Sequence, residues 1–192
     1  MAIARTMDYQ QFYKRLFRPI EQGIGPLDKA GIMAIIGFDC GGPISLSTVG
    51  RERKRRFVTY VTCELAVRKE QHSASFGRYE AMITCDDERW AHLILTKIGQ
   101  MSLRSAFDHG HTVDISKMVS RKCPLKGLVT EEFARVRIGG QRYGILRVHG
   151  VTRSELKFAM ESGSDKLLER LKNAGIYPRT SPKRKESVVT AI

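Results

Sequence analysis

The chain has 192 residues, 42% hydrophobic and 28% charged, an ordinary globular composition that can bury about 70% of its unfolded surface. No apolar run approaches the length of a membrane-spanning helix, about 20 residues, and the N-terminal MAIARTMDYQ has no export-signal core. The net charge of +13, from 33 basic and 20 acidic residues, favours an acidic or phosphate-bearing partner.

Asp8–Gln22 is predicted as the first helix. Asp8 and Gln11 have capping-box spacing, and Tyr9, Phe12, Tyr13 and Leu16 share one face. Gly23–Pro26 ends it. Ile32–Phe38 is a short apolar run, Cys40-Gly41-Gly42-Pro43 a turn, and Ile44–Val49 a strand. Phe57–Val67 alternates as a strand and is expected to pair antiparallel with Arg78–Cys85 across the loop Arg68–Phe76. Asp86-Asp87 opens a helix with Trp90, Leu93, Ile94, Ile98 and Met101 in step, its acidic start favouring the positive helix end. Phe107–Ile115 and Lys122–Thr130 are less regular.

From Phe133 the signals agree most closely. Ala134, Val136 and Ile138 form one apolar strand face, and Gly139-Gly140 supplies the positive φ angles of a tight hairpin turn. The return strand Tyr143–His149 puts Gly144, Leu146 and Val148 on one side, and Tyr143, Ile145, Arg147 and His149 on the other. Thr152-Arg153-Ser154-Glu155 is a capping box opening a helix. Gly163 ends that helix, Ser164 is expected to cap the next, and Gly175-Ile176 with Pro178 closes it. Strands and helices mix without βαβ alternation, which predicts an α+β fold, a mostly antiparallel mixed sheet packed with helices. Residues 1–180 read as one domain and 181–192 as a basic, flexible C-terminal arm.

The stretch YGILRVHGVTRSELKFAMESGSDKLLERLK (Tyr143–Lys172) resembles the end of the suppressor of fused-like domain, where a strand runs into Gly-Val-x-x-x-Glu-Leu and two short helices. Gly25-Pro26-Leu27-Asp28 is similar to that family's early Pro-Leu-Asp segment. FVTYVTCELAV (Phe57–Val67) resembles its long central strand, and HGHTVD (His109–Asp114) its Gly/His-rich turn. The resemblance runs in order over roughly residues 25–178. It implies a non-catalytic protein-binding domain without cofactor. Animal members of the family bind and restrain a transcription factor, capturing an extended peptide by strand addition between two domains. This chain resembles the first of those domains. Single-domain relatives resemble immunity proteins that neutralise a toxin, which is the alternative within the same class.

Two surfaces are candidates for partner contact. Arg51, Arg53, Lys54, Arg55 and Arg56 put five cations in six positions, suited to an acidic protein surface, or to nucleic-acid phosphates as an alternative of another class. The family's corresponding segment tends to be acidic. The second candidate is the turn at His109, His111 and Asp114. In an extended segment the two imidazoles point the same way, and Asp114 could complete a zinc or iron site. The plainer reading is a polar turn whose imidazoles bond backbone groups, and no acid–base partner is evident elsewhere. A metal-dependent enzyme is thus the remotest reading, and no catalytic or metal residue is assigned. Cys40, Cys63, Cys85 and Cys123 lack Cys-x-x-Cys spacing and fit free thiols in a reducing cytoplasm.

Overall fold

The computed structural model describes residues 8–37, 43–49 and 57–189, with side chains over 8–27 and 57–189. Helix α1 (Tyr9–Leu16) starts at Asp8, whose carboxylate accepts from the N–H groups of Gln10 and Gln11 at 3.0 and 3.3 Å. The single helix expected to Gln22 instead breaks at Phe17, and α2 (Arg18–Gly23) follows. Pro19 is the cause. It has no N–H and its ring crowds the preceding turn, so it fits only the first turn of a new helix.

Strands β1 (Leu27–Gly37) and β2 (Pro43–Val49) pair antiparallel, and the turn expected at residues 40–42 lies outside the described residues. Strand β3 (Val58–Cys63) stops four residues short of the predicted Val67 because Glu64 takes a φ of 81°. That turn aims backbone donors at a buried acceptor. The N–H of Glu64 donates to the Tyr13 phenol at 2.6 Å, and the N–H of Ala66 to Glu80 Oε1 at 2.8 Å. Glu80 is fully buried on β4 (Arg78–Cys85) and also accepts from the Thr62 hydroxyl at 2.5 Å and the Tyr13 hydroxyl at 3.2 Å. Loss of water pushes its carboxyl up to about 7 even against these donors. One buried carboxyl therefore fastens α1 to the ends of β3 and β4.

Helix α3 (Glu88–Ser102) is capped by Asp87, which accepts from the N–H of Trp90 at 3.0 Å. A short β5 (Thr112–Asp114) precedes the long hairpin of β6 (Leu125–Ile138) and β7 (Gln141–Thr152). Gly139 and Gly140 turn it with φ of 59° and 83°. The less regular stretch expected at 122–130 belongs mostly to β6. The capping box at Thr152 and Glu155 opens α4 (Arg153–Ser162) with both reciprocal bonds present. Helix α5 (Ser164–Asn173) departs from expectation at its start. Ser164 is its first helical residue rather than its cap, and its hydroxyl donates to the Gly110 carbonyl at 2.6 Å. Strand β8 (Arg179–Thr180) ends the series.

The eight strands among the described residues form one mixed sheet in the order β1-β2-β3-β4-β7-β6-β5, with β8 beside β4. The β3–β4 pair is antiparallel as predicted, with Val58 opposite Cys85, whereas β7 and β8 run parallel to β4. This is the α+β, mostly antiparallel arrangement read from the sequence. One face packs Tyr79, Ala81, Ile83, Leu146 and Val148 against Trp90, Ile94 and Ile98 of α3. The other holds two apolar clusters. Met82, Tyr143 and Ile145 pack under Phe12, Leu16 and Ile20, and Val129 and Val151 pack under Leu156, Leu167 and Leu171. Strands β4 and β7 are covered on both faces, and the polar Glu80, Arg147 and His149 are buried there beside their apolar residues.

The segment expected as a flexible arm is anchored over Ser181–Val189. Fully buried Glu155 accepts from both terminal nitrogens of Arg184 at 2.7 Å and from the N–H of Val188 at 2.9 Å. The Ser181 hydroxyl donates to Asp86 at 2.8 Å, and Pro182 is buried. Its apolar contacts come from Val188 and Val189, which pack against the α4–α5 cluster.

Candidate functional site

The basic residues Arg51, Arg53, Lys54, Arg55 and Arg56 lie outside the described residues. The second predicted surface, at His109, His111 and Asp114, lies within the described residues. Gly110 turns the chain with a φ of 79°, its N–H bonds the Thr130 carbonyl at 2.8 Å, and the turn is thereby fixed against β6. His109 accepts from the N–H of Glu132 through Nδ1 at 3.2 Å, and its Nε2 lies 2.7 Å from Asp165 on α5. His111 accepts from the N–H of Asp108 at 3.3 Å. Asp114 bonds both the N–H and the hydroxyl of Ser116, and those bonds lower its carboxyl below the ordinary range. The three side chains are thus engaged separately. Among the described residues, no group of three His, Cys, Asp or Glu side chains converges as a metal site.

The turn marks the end of something larger. Strand β5 pairs with β6 only at Gly127, Leu128 and Val129, and the His109 imidazole closes the same edge at Glu132. Beyond it the outer edge of β6 has no ladder partner among the described residues. Ile138 closes the hairpin opposite Gln141, so alternation turns the backbone groups of Arg137 and Arg135 away from β7. The arginine side chains are exposed, while Ala134, Val136 and Ile138 pack toward the α1–α2 cluster. Arg135 is held by a bidentate pair to Glu132 at 2.8 and 2.9 Å, and Arg142 stands exposed across the hairpin. The result is a cationic sheet edge without a ladder partner among the described residues.

Between the two helical clusters on that face runs a polar belt that sequence reasoning missed. Glu131 of β6 accepts from His149 at 3.0 Å and from the Tyr177 hydroxyl at 3.0 Å, with Arg147 3.5 Å and Lys172 3.9 Å away. Arg147 also bonds the Tyr177 hydroxyl, stacks its guanidinium 4.3 Å over the Phe133 ring, and leaves its Nε unpartnered. Partial burial works against ionisation of Glu131, but the His149 bond and the nearby cations outweigh it and hold the carboxyl down at about 2. Burial lowers the His149 imidazole, so it is neutral at physiological pH. Alternation had placed Arg147 and His149 on one side of β7. Nothing local in the sequence pairs them with Tyr177, thirty residues onward. The belt ties the α5–β8 loop to the sheet.

Cys63, Cys85 and Cys123 are unpaired. Burial pushes the Cys63 and Cys85 thiols up to about 12, which leaves them protonated and unreactive. No helix among the described residues is long and apolar enough to cross a membrane.

The family model of suppressor of fused protein matches residues 42–185, three quarters of the sequence. The chain belongs to the suppressor of fused family. This is a protein-binding, regulatory family. Solved structures agree in fold. The Sufu chain of the Sufu–Fu complex is 13% identical, with 94% of this chain and 91% of that one covered and a TM-score of 0.67. A suppressor of fused homolog from Neisseria gonorrhoeae FA 1090 is 14% identical, with 95% and 100% covered and a TM-score of 0.63. Drosophila Suppressor of Fused is 16% identical over 76% of this chain, with a TM-score of 0.58, and this chain spans 42% of its length. No curated protein matches the sequence.

Proposed function

We propose that this protein binds and restrains a partner protein, taking an extended acidic segment of that partner onto the outer edge of β6. The observation that carries this reading is the edge at Arg135 and Arg137, which has no ladder partner among the described residues and whose backbone groups face outward. An added strand finds main-chain partners there, and the exposed Arg137 and Arg142 select carboxylates on it. Membership of a protein-binding family supports the reading, as does the net charge of +13. The cations of residues 51–56 add to the same charge preference. Covering the segment restrains the partner without chemistry, so no catalytic residue is needed.

Arg137→Pro tests it. Proline removes the outward N–H while leaving the β6–β7 ladder intact, and edge positions tolerate it. The tagged protein and its Arg137→Pro form are compared as baits from their own cells after nuclease treatment and a high-salt wash. A polypeptide retained near stoichiometry by the wild type and lost from the variant supports the reading. Equal retention by both refutes the edge, and release by nuclease assigns the contact to nucleic acid.

A further inference from the structure

Helix α5 ends at Asn173, and Gly175, with a φ of 66°, turns the chain so that Ile176 bonds back to the Leu171 carbonyl at 3.0 Å. The loop then passes Tyr177, pinned in the polar belt, and the C-terminal strap runs back alongside it. Two clefts of ≈ 510 and ≈ 400 Å³ lie between loop and strap. Both are shallow and open to solvent, and they adjoin at Ile176 and Glu186, which line each of them, as one surface groove. Its floor is aliphatic and aromatic: Ala174, Ile176 and Val188, with the Phe57 ring at one end.

The rim is cationic and uncompensated. Arg170 lies over the Phe158 ring, Arg179 donates to the Gly175 carbonyl at 2.7 Å, and Lys183 is exposed. None of the three has a carboxylate partner among the described residues. Arg184 is already neutralised by Glu155, and Glu186 is the one acid lining the groove. Both walls are held in place, one by the Glu131–Tyr177 bonds and the other by the Glu155–Arg184 pair.

We propose that this groove docks a second acidic segment of a partner protein, seating an aliphatic side chain against Ile176 and Val188 and carboxylates against Arg170, Arg179 and Lys183. An apolar floor inside a basic rim matches a peptide that alternates the two kinds of side chain. Aliphatic walls give bases little to stack on, which disfavours nucleic acid. This surface is distinct from the β6 edge, and each stands without the other.

The probe is a fluorescein-labelled twelve-residue peptide alternating Glu and Leu, titrated by anisotropy into the full chain, with amide shifts mapping its position. Controls replace every Leu by Ser, or every Glu by Gln, and add a single-stranded oligothymidine of equal length. The Glu/Leu peptide is expected to saturate the protein and shift amides within Ala174–Val188. Both control peptides bind about tenfold more weakly or worse, and Arg179→Glu with Lys183→Glu weakens the Glu/Leu peptide about tenfold. Both residues are exposed, and because Arg179 also bonds the Gly175 carbonyl, the variant is compared at an unchanged urea midpoint. Arg137→Pro leaves this binding unchanged, which separates the groove from the edge. Absence of saturable binding overturns the proposal, as do shifts elsewhere, equal affinity for the Leu-free peptide, or tighter binding of the oligonucleotide.

Discussion

Replacing Glu80 with Gln is expected to remove a large part of the pH dependence of stability. In the unfolded chain this carboxyl releases its proton near 4.5, whereas the buried native carboxyl holds it to about 7. Below 4.5 both states are protonated and the native preference is fully present. It is lost as the pH rises through 7, because the native state must then either ionise in a dry site or keep a proton that the unfolded state has already released. The gap between 4.5 and 7 corresponds to about 3 kcal/mol. Gln cannot ionise and keeps the shape, so the variant lacks this decline. Urea unfolding followed by the fluorescence of Trp90, the single tryptophan, measures both proteins from pH 4 to 9. The difference between them should move by about 3 kcal/mol in favour of Gln across that range. Parallel curves would show that Glu80 titrates alike in both states, and the buried-carboxyl argument would fall.

Other expectations follow from single contacts. Glu64 is exposed and held at a φ of 81°, so Glu64→Gly should raise stability by about 1 kcal/mol, and a lower urea midpoint contradicts this. Arg184→Ala strips the buried Glu155 of its counter-ion and should cost about 3 kcal/mol. It should also speed tryptic cleavage at Lys183 and Lys185, and unchanged proteolysis would mean that the strap is held by something else. In the Glu80→Gln background, the polar belt contributes to the loss of stability on the acid side, beside Glu155, Asp108 and Asp114, whose carboxyls are also held below the ordinary range. Stability should fall below 6.5, where unfolded His149 takes a proton the buried imidazole resists, and again below 4.5, where unfolded Glu131 does the same while the native carboxyl holds out to about 2. Unfolding midpoints that stay flat from pH 7 to 3.5 would refute it.

Local signals in the sequence determined much of the fold. The capping box at Thr152, the Gly139-Gly140 turn and the alternation of Tyr143–His149 each act over a few residues, and each is realised in the structure. Where a local signal was misjudged, another local rule explains it, as with Pro19 breaking the first helix. The His109 turn was also legible, because its residues bond backbone near them in space. Tertiary structure alone decided the rest. Glu80 looks like any strand glutamate until Tyr13, Thr62 and Ala66 arrive from three segments to bond it. The open edge of β6 exists because β5 is short, and the groove exists because Glu155 holds a strap that carries no periodicity of its own. Burial and pairing depend on which distant segments meet, and a linear pattern carries that information only where one element faces a uniform environment.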